Sequence, residues 1–119
     1  MIIGNPEHYL VNFLKNKTFN LSNEKLTQGQ IEKELTLDRI VFYREKRLSE
    51  TDKPDFMIGD IAIEVKLKGS AAEIFRQCER YCSYSEVRVL ILMCSRPMGI
   101  KGEINGKPIY LIDMGKSWL

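Results

Sequence analysis

Residues 54–66 read PDFMIGDIAIEVK, two short apolar arms separated by a glycine and an aspartate. With period two, Phe56 and Ile58 on the first arm and Ile61, Ile63 and Val65 on the second form one apolar set. Asp55, Glu64 and Lys66 fall on the opposite parity, so the expectation is a hairpin with one face in the core and the other carrying ionisable groups. Gly59-Asp60 fits a two-residue loop with glycine at its first central position, the type II′ pattern. That loop sets Ile58 opposite Ile61, Met57 opposite Ala62, Phe56 opposite Ile63 and Asp55 opposite Glu64. Directly opposed residues have Cβ atoms about 4.5–5.5 Å apart, and two carboxylates at that separation repel one another unless a cation lies between them.

The candidate ligands are all oxygens, which points to a hard cation, Mg²⁺ with Mn²⁺ as a substitute. Zinc does not fit, because the chain has one histidine, His8, remote in sequence, and no CxxC pair. Lys66 lies two residues beyond Glu64 on the same face. There an ammonium with a cation-lowered pKa can hold, or help deprotonate, a water that attacks a phosphate. The competing reading is a solvated sheet face with a Glu–Lys pair.

Outward from the hairpin, Asn5-Pro6-Glu7 reads as an N-cap, a first-turn proline and a first-turn acid, giving a helix over about residues 6–17. Ser22 can cap a second helix running to about Leu35, and Thr27 with Gln30 is an alternative capping box that starts it later. Residues 40–48, IVFYREKRL, read as a strand that leaves the core at its far end, and 49–53 as a loop. Between Ser70 and Ser83, Ile74, Phe75, Cys78, Tyr81 and Cys82 recur at helical spacing, and Val87 to Cys94 is the next strand. An Asn105-Gly106 turn precedes a strand-like PIYLIDM, and Trp118 is expected to pack back on the domain.

The 119 residues, 44% hydrophobic and 29% charged, fit a single globular domain over 1–119 that needs no disulfide staple. Three cysteines make no disulfide framework, no run approaches the length of a membrane span, and the N-terminus has no signal-peptide character. The expected location is the cytoplasm, without membrane association. A net charge of +2 does not announce nucleic-acid binding, but basic residues cluster locally at Lys66 and Lys68 and at Arg76 and Arg80.

Pro54-Asp55 followed by Glu64-Val65-Lys66 in an apolar strand resembles the motif of the PD-(D/E)XK nuclease superfamily, and the order of elements over residues 40–94 is similar to that family's core. Gln77 and Tyr81 on the crossover helix resemble the Gln-x-x-x-Tyr motif of the RecB-like branch. The resemblance implies an α/β, restriction-endonuclease-like three-layer core, a mixed central sheet flanked by helices. It implies a Mg²⁺-dependent endonuclease in which Asp55, Glu64 and the Val65 carbonyl hold the metal and Lys66 positions the nucleophile. Gln77 approaches the site, and Lys68, Arg76, Arg80 and Tyr81 meet DNA.

The family often adds an acid from the N-terminal helix. At about 100° per residue from Ile31, Glu24 lies near about +20°, inside the apolar stripe, whereas Glu32 and Glu34 lie near about +100° and −60°. Glu24 is therefore first choice if the helix begins at Asn23, and Glu34 if it begins after Thr27, with Glu45 a lesser candidate. In size and layout the chain resembles small archaeal-type and phage Holliday-junction resolvases, which implies branched DNA as substrate and a homodimer.

Overall fold

The computed structural model describes residues 5–115. The Asn5 side chain accepts the Glu7 and His8 N–H groups, and Pro6 opens helix α1 (Pro6–Lys15) at a position where no N–H is needed. The helix ends at Lys15, earlier than the expected 17. Neither Ser22 nor Thr27 starts the second helix, since Asn23 caps α2 (Glu24–Leu37) by accepting the Leu26 N–H at 2.8 Å. Ser22 is drawn instead into a turn on the Asn20 side chain, and Thr27 is buried with its hydroxyl on main-chain oxygens of Asn20 and Asn23.

The strand expected over 40–48 shrinks to β1 (Tyr43–Arg44). Arg39 and Glu45 take φ of +57° and +50°, which breaks extended geometry on both sides despite the β-branched and aromatic content. Strands β2 (Phe56–Ile58) and β3 (Ile61–Lys66) pair in the expected register, Phe56 with Ile63, Met57 with Ala62 and Ile58 with Ile61. Gly59 takes φ +59° and Asp60 stays negative, as a type II′ turn requires.

A complete capping box between Ser70 and Glu73 starts α3 (Ala71–Tyr81), which crosses to β4 (Val89–Cys94), parallel to β3. Asn105 and Gly106, both at positive φ, join β5 (Glu103–Ile104) to β6 (Lys107–Asp113) in the type I′ manner. The sequence announces that turn but not β5, whose two residues carry no pattern of their own. The sheet is mixed and six-stranded, in the order β1-β2-β3-β4-β6-β5, and with three helices makes an α/β fold.

Alternate residues of the central strands feed two cores. Ile61, Ile63, Val65 and Ile91 pack with Leu10 and Leu14 of α1 and Ile31 and Leu35 of α2. Met57, Ala62, Leu90 and Leu92 pack with Ile74, Cys78 and Tyr81 of α3. Both faces of the hairpin are therefore core, which corrects the expectation of an ionisable outer face. The crossover helix covers that face, as is usual beside parallel strands, and the acids sit at its margin. Among the described residues no helix is long and apolar enough to cross a membrane, and Trp118 lies outside them.

Candidate active site

Asp55 immediately precedes β2 and Glu64 lies near the end of β3, so they face one another where the ladder ends. The Asp55 N–H donates to Glu64 Oε1 at 3.0 Å, and the Val65 N–H donates to Asp55 Oδ2 at 2.7 Å. The two carboxylates, rather than carbonyls, thus close the mouth of the hairpin. Glu64 is only 5% exposed and Asp55 is half-buried. Removal from water is the largest influence on both. It pushes Glu64 up to about 8, helped by the Asp55 charge, and Asp55 up to about 6 against the opposing Val65 N–H and Lys66 ammonium. Near neutrality the pair retains a proton unless a cation takes its place.

Lys66 Nζ stands 3.7 Å from Glu64 Oε2. Because α2 begins at Glu24, that side chain reaches the chain leaving β3, where Oε2 accepts the Leu67 N–H at 2.9 Å. Its charge also raises the Asp55 pKa. The other acids point elsewhere: Glu34 pairs with Lys17, Glu32 with Arg44, and Glu45 with Lys53 and Arg44. Among the described residues no group of three or more His, Cys, Asp or Glu side chains is gathered to hold a metal, so Glu24 stands beside the pair without closing a three-acid cluster. Two facing carboxylates remain a suitable donor set for Mg²⁺ or Mn²⁺. Such ions commonly use one or two carboxylates and keep water or phosphate in the remaining positions.

Helix α3 supplies the other wall. Gln77 Nε2 donates to the Tyr81 hydroxyl at 3.1 Å, and that hydroxyl donates to Glu64 Oε1 at 3.2 Å. Tyr81 is 2% exposed, so the expectation that it meets DNA is corrected: the ring fills the core beneath the site. Burial, then the Glu64 charge, drives its phenol well above the ordinary range. Lys66, Lys68, Glu73, Arg76, Gln77 and Arg80 line a cleft of about 350 Å³ beside the acids. Arg80 is not wholly a surface group, because its Nε bonds the buried Asp52 carboxylate at 3.1 Å, and the Tyr84 hydroxyl reaches the same carboxylate at 2.7 Å.

Asp52 and Arg44 escape a reading of the sequence. Asp52 anchors the loop leading to Pro54-Asp55 onto α3. The Arg44 guanidinium lies over the Phe56 ring and bonds the Asp55 carbonyl, Glu32 and Gln28, tying the hairpin to α2. A buried acid in a loop and an arginine in a mixed-charge run carry no periodic signal. The chain matches no protein-family model, no curated protein and no solved structure.

Proposed function

We propose that the chain is a metal-dependent DNA endonuclease of the restriction-endonuclease-like kind, hydrolysing phosphodiester bonds with Mg²⁺ held by Asp55, Glu64 and the Val65 carbonyl. The observation that carries this reading is the half-buried Asp55 opposed to the buried Glu64, with the Lys66 ammonium 3.7 Å from Glu64. The element order and the strand register around the pair support the PD-(D/E)XK resemblance. When bound, Mg²⁺ supplies Lewis acidity to an attacking water and to the phosphate. Lys66 orients the water and holds a proton at Nζ, while Lys68, Arg76 and Arg80, on the cleft walls, grip phosphates on either side of the scissile bond. Branched DNA is the proposed substrate and a homodimer the proposed form, with one site cutting each of two strands.

The test is cleavage of a labelled four-way junction beside linear duplex, flap and single-stranded DNA, with Mg²⁺ or Ca²⁺, by the wild type and by Glu64→Ala and Lys66→Ala. Paired nicks in the junction that need Mg²⁺ and both side chains support the whole reading. Cutting of linear DNA or flaps alone keeps the nuclease and removes the junction. A second reading, a non-catalytic binding module, draws on the main-chain N–H groups that already occupy Asp55, Glu64 and Glu24. Tight DNA binding with no cutting of any substrate would establish it and sink the nuclease.

A further inference from the structure

We propose that Gln77 and Tyr81 form a two-step positioning relay that fixes the orientation of Glu64, an inference that rests on the metal-site reading above. A phenol has one proton, and a carboxylate that has lost its own proton to serve as a metal ligand can only accept. With Gln77 Nε2 donating to the Tyr81 oxygen, the phenolic proton is directed to Glu64 Oε1. Oε1 then receives two donors, the Tyr81 O–H and the Asp55 N–H, while Oε2 turns toward Lys66. Rotating the carboxylate would strand both donors in a buried site, so the oxygen facing Lys66 is left as the ligand atom.

The relay is rigid for reasons of packing. Tyr81 shares its core with Cys78, Ile74 and Leu92, and Gln77 lies one helical turn before it on the same face, at the wall of the basic cleft. The capping box at Ser70 fixes the start of that helix. Neither Gln77 nor Tyr81 is a catalytic residue in this arrangement: each acts through Glu64, as outer-shell partners of metal ligands do.

The experiment measures Mn²⁺ binding to the full chain by electron paramagnetic resonance, without DNA, for the wild type, Tyr81→Phe, Gln77→Glu and Leu10→Ala, with thermal unfolding of each. Tyr81→Phe should weaken Mn²⁺ about 10–100-fold. Gln77→Glu should weaken it too, because the new carboxylate takes the phenolic proton for itself. It also serves if Tyr81→Phe does not fold. Leu10→Ala, in the core on the opposite face of the sheet, should lower the melting temperature and leave Mn²⁺ affinity within about threefold of wild type. Wild-type affinity in Tyr81→Phe or Gln77→Glu, or affinity that simply follows stability through Leu10→Ala, overturns the relay and leaves the metal site standing. A wild type that binds no Mn²⁺ overturns both. Relay variants that lose Mn²⁺ in a protein that cuts no DNA uphold the relay and refute the nuclease.

Discussion

Replacing Glu64 by glutamine should stabilise the metal-free protein, by an amount that grows with pH. The side chain keeps an oxygen for the Asp55 N–H and the Tyr81 hydroxyl, so what it loses is the buried charge. The folded carboxyl titrates near about 8 against 4.5 in an unfolded chain. Below pH 4.5 both states hold the proton and burial of the charge costs nothing. Above it the unfolded chain ionises first, and the folded state loses ground until the pH passes the folded value. At pH 7 the loss is roughly 3 kcal/mol, and at pH 5 it is under about 1 kcal/mol. For a chain of this length 3 kcal/mol corresponds to about 12 °C in melting temperature. Circular-dichroism melts of both proteins in EDTA at pH 5 and pH 7 measure it. A gap that does not widen with pH, or a less stable variant at pH 7, refutes the account of two acids confined together. Added Mg²⁺ should then stabilise the wild type, by about 2.7 kcal/mol at a hundredfold excess over its dissociation constant, and leave Glu64→Gln unchanged.

Gly59→Ala should cost about 1–2 kcal/mol in urea unfolding, all of it from the backbone, because φ is +59° while nothing crowds the added methyl; a neutral result would mean the turn is not type II′. Arg88 bonds the buried Glu7 through both terminal nitrogens and holds its carboxyl below the usual range. That stability is present above pH 4.5 and is lost as the pH falls through the folded value. Arg88→Ala should therefore lose about 1 kcal/mol at pH 7, a modest figure because the arginine is half-exposed, and flatten the acid limb of the stability profile. Lys68→Ala and Arg76→Ala should each weaken DNA binding on every sequence and reduce the slope of log affinity against log salt by about 0.9. An unchanged slope in a titration over salt would remove the cleft from the DNA interface.

The hairpin was legible because alternation and a two-residue glycine turn leave one register that keeps its apolar set together, and that register places Asp55 opposite Glu64. Glu24 was legible only conditionally, since its place depends on which residue caps α2, and Asn23 competes closely with its neighbours in capping strength. Burial of the hairpin's second face was hidden, because Met57 and Ala62 read as spacers until α3 lies over them. The fate of Tyr81 follows from the same layer: helical spacing puts it on a face with Gln77, but only the tertiary fold says that this face points inward. Arg80 illustrates the converse, a charge that reads as surface and in fact braces a buried aspartate from a distant loop.

The bonds that assemble the acids close very different lengths of chain. The Val65 N–H reaches Asp55 across 10 residues, whereas the Leu67 N–H reaches Glu24 across 43. The first contact can form as soon as the hairpin closes, on a scale of about 1–10 μs for an isolated hairpin. The second must wait until α2 has settled on the sheet through Ile31 and Leu35. A partly folded chain, or one whose outer helix has lifted for a moment, holds the opposed pair without the Glu24 carboxylate beside it. Hydrogen exchange that releases the Leu67 amide ahead of Val65 would mark such an opening. The charge of Glu24, which raises the Asp55 pKa, thus arrives with the last packing event rather than with the local hairpin, so the electrostatics of the opposed pair change as the outer helix docks.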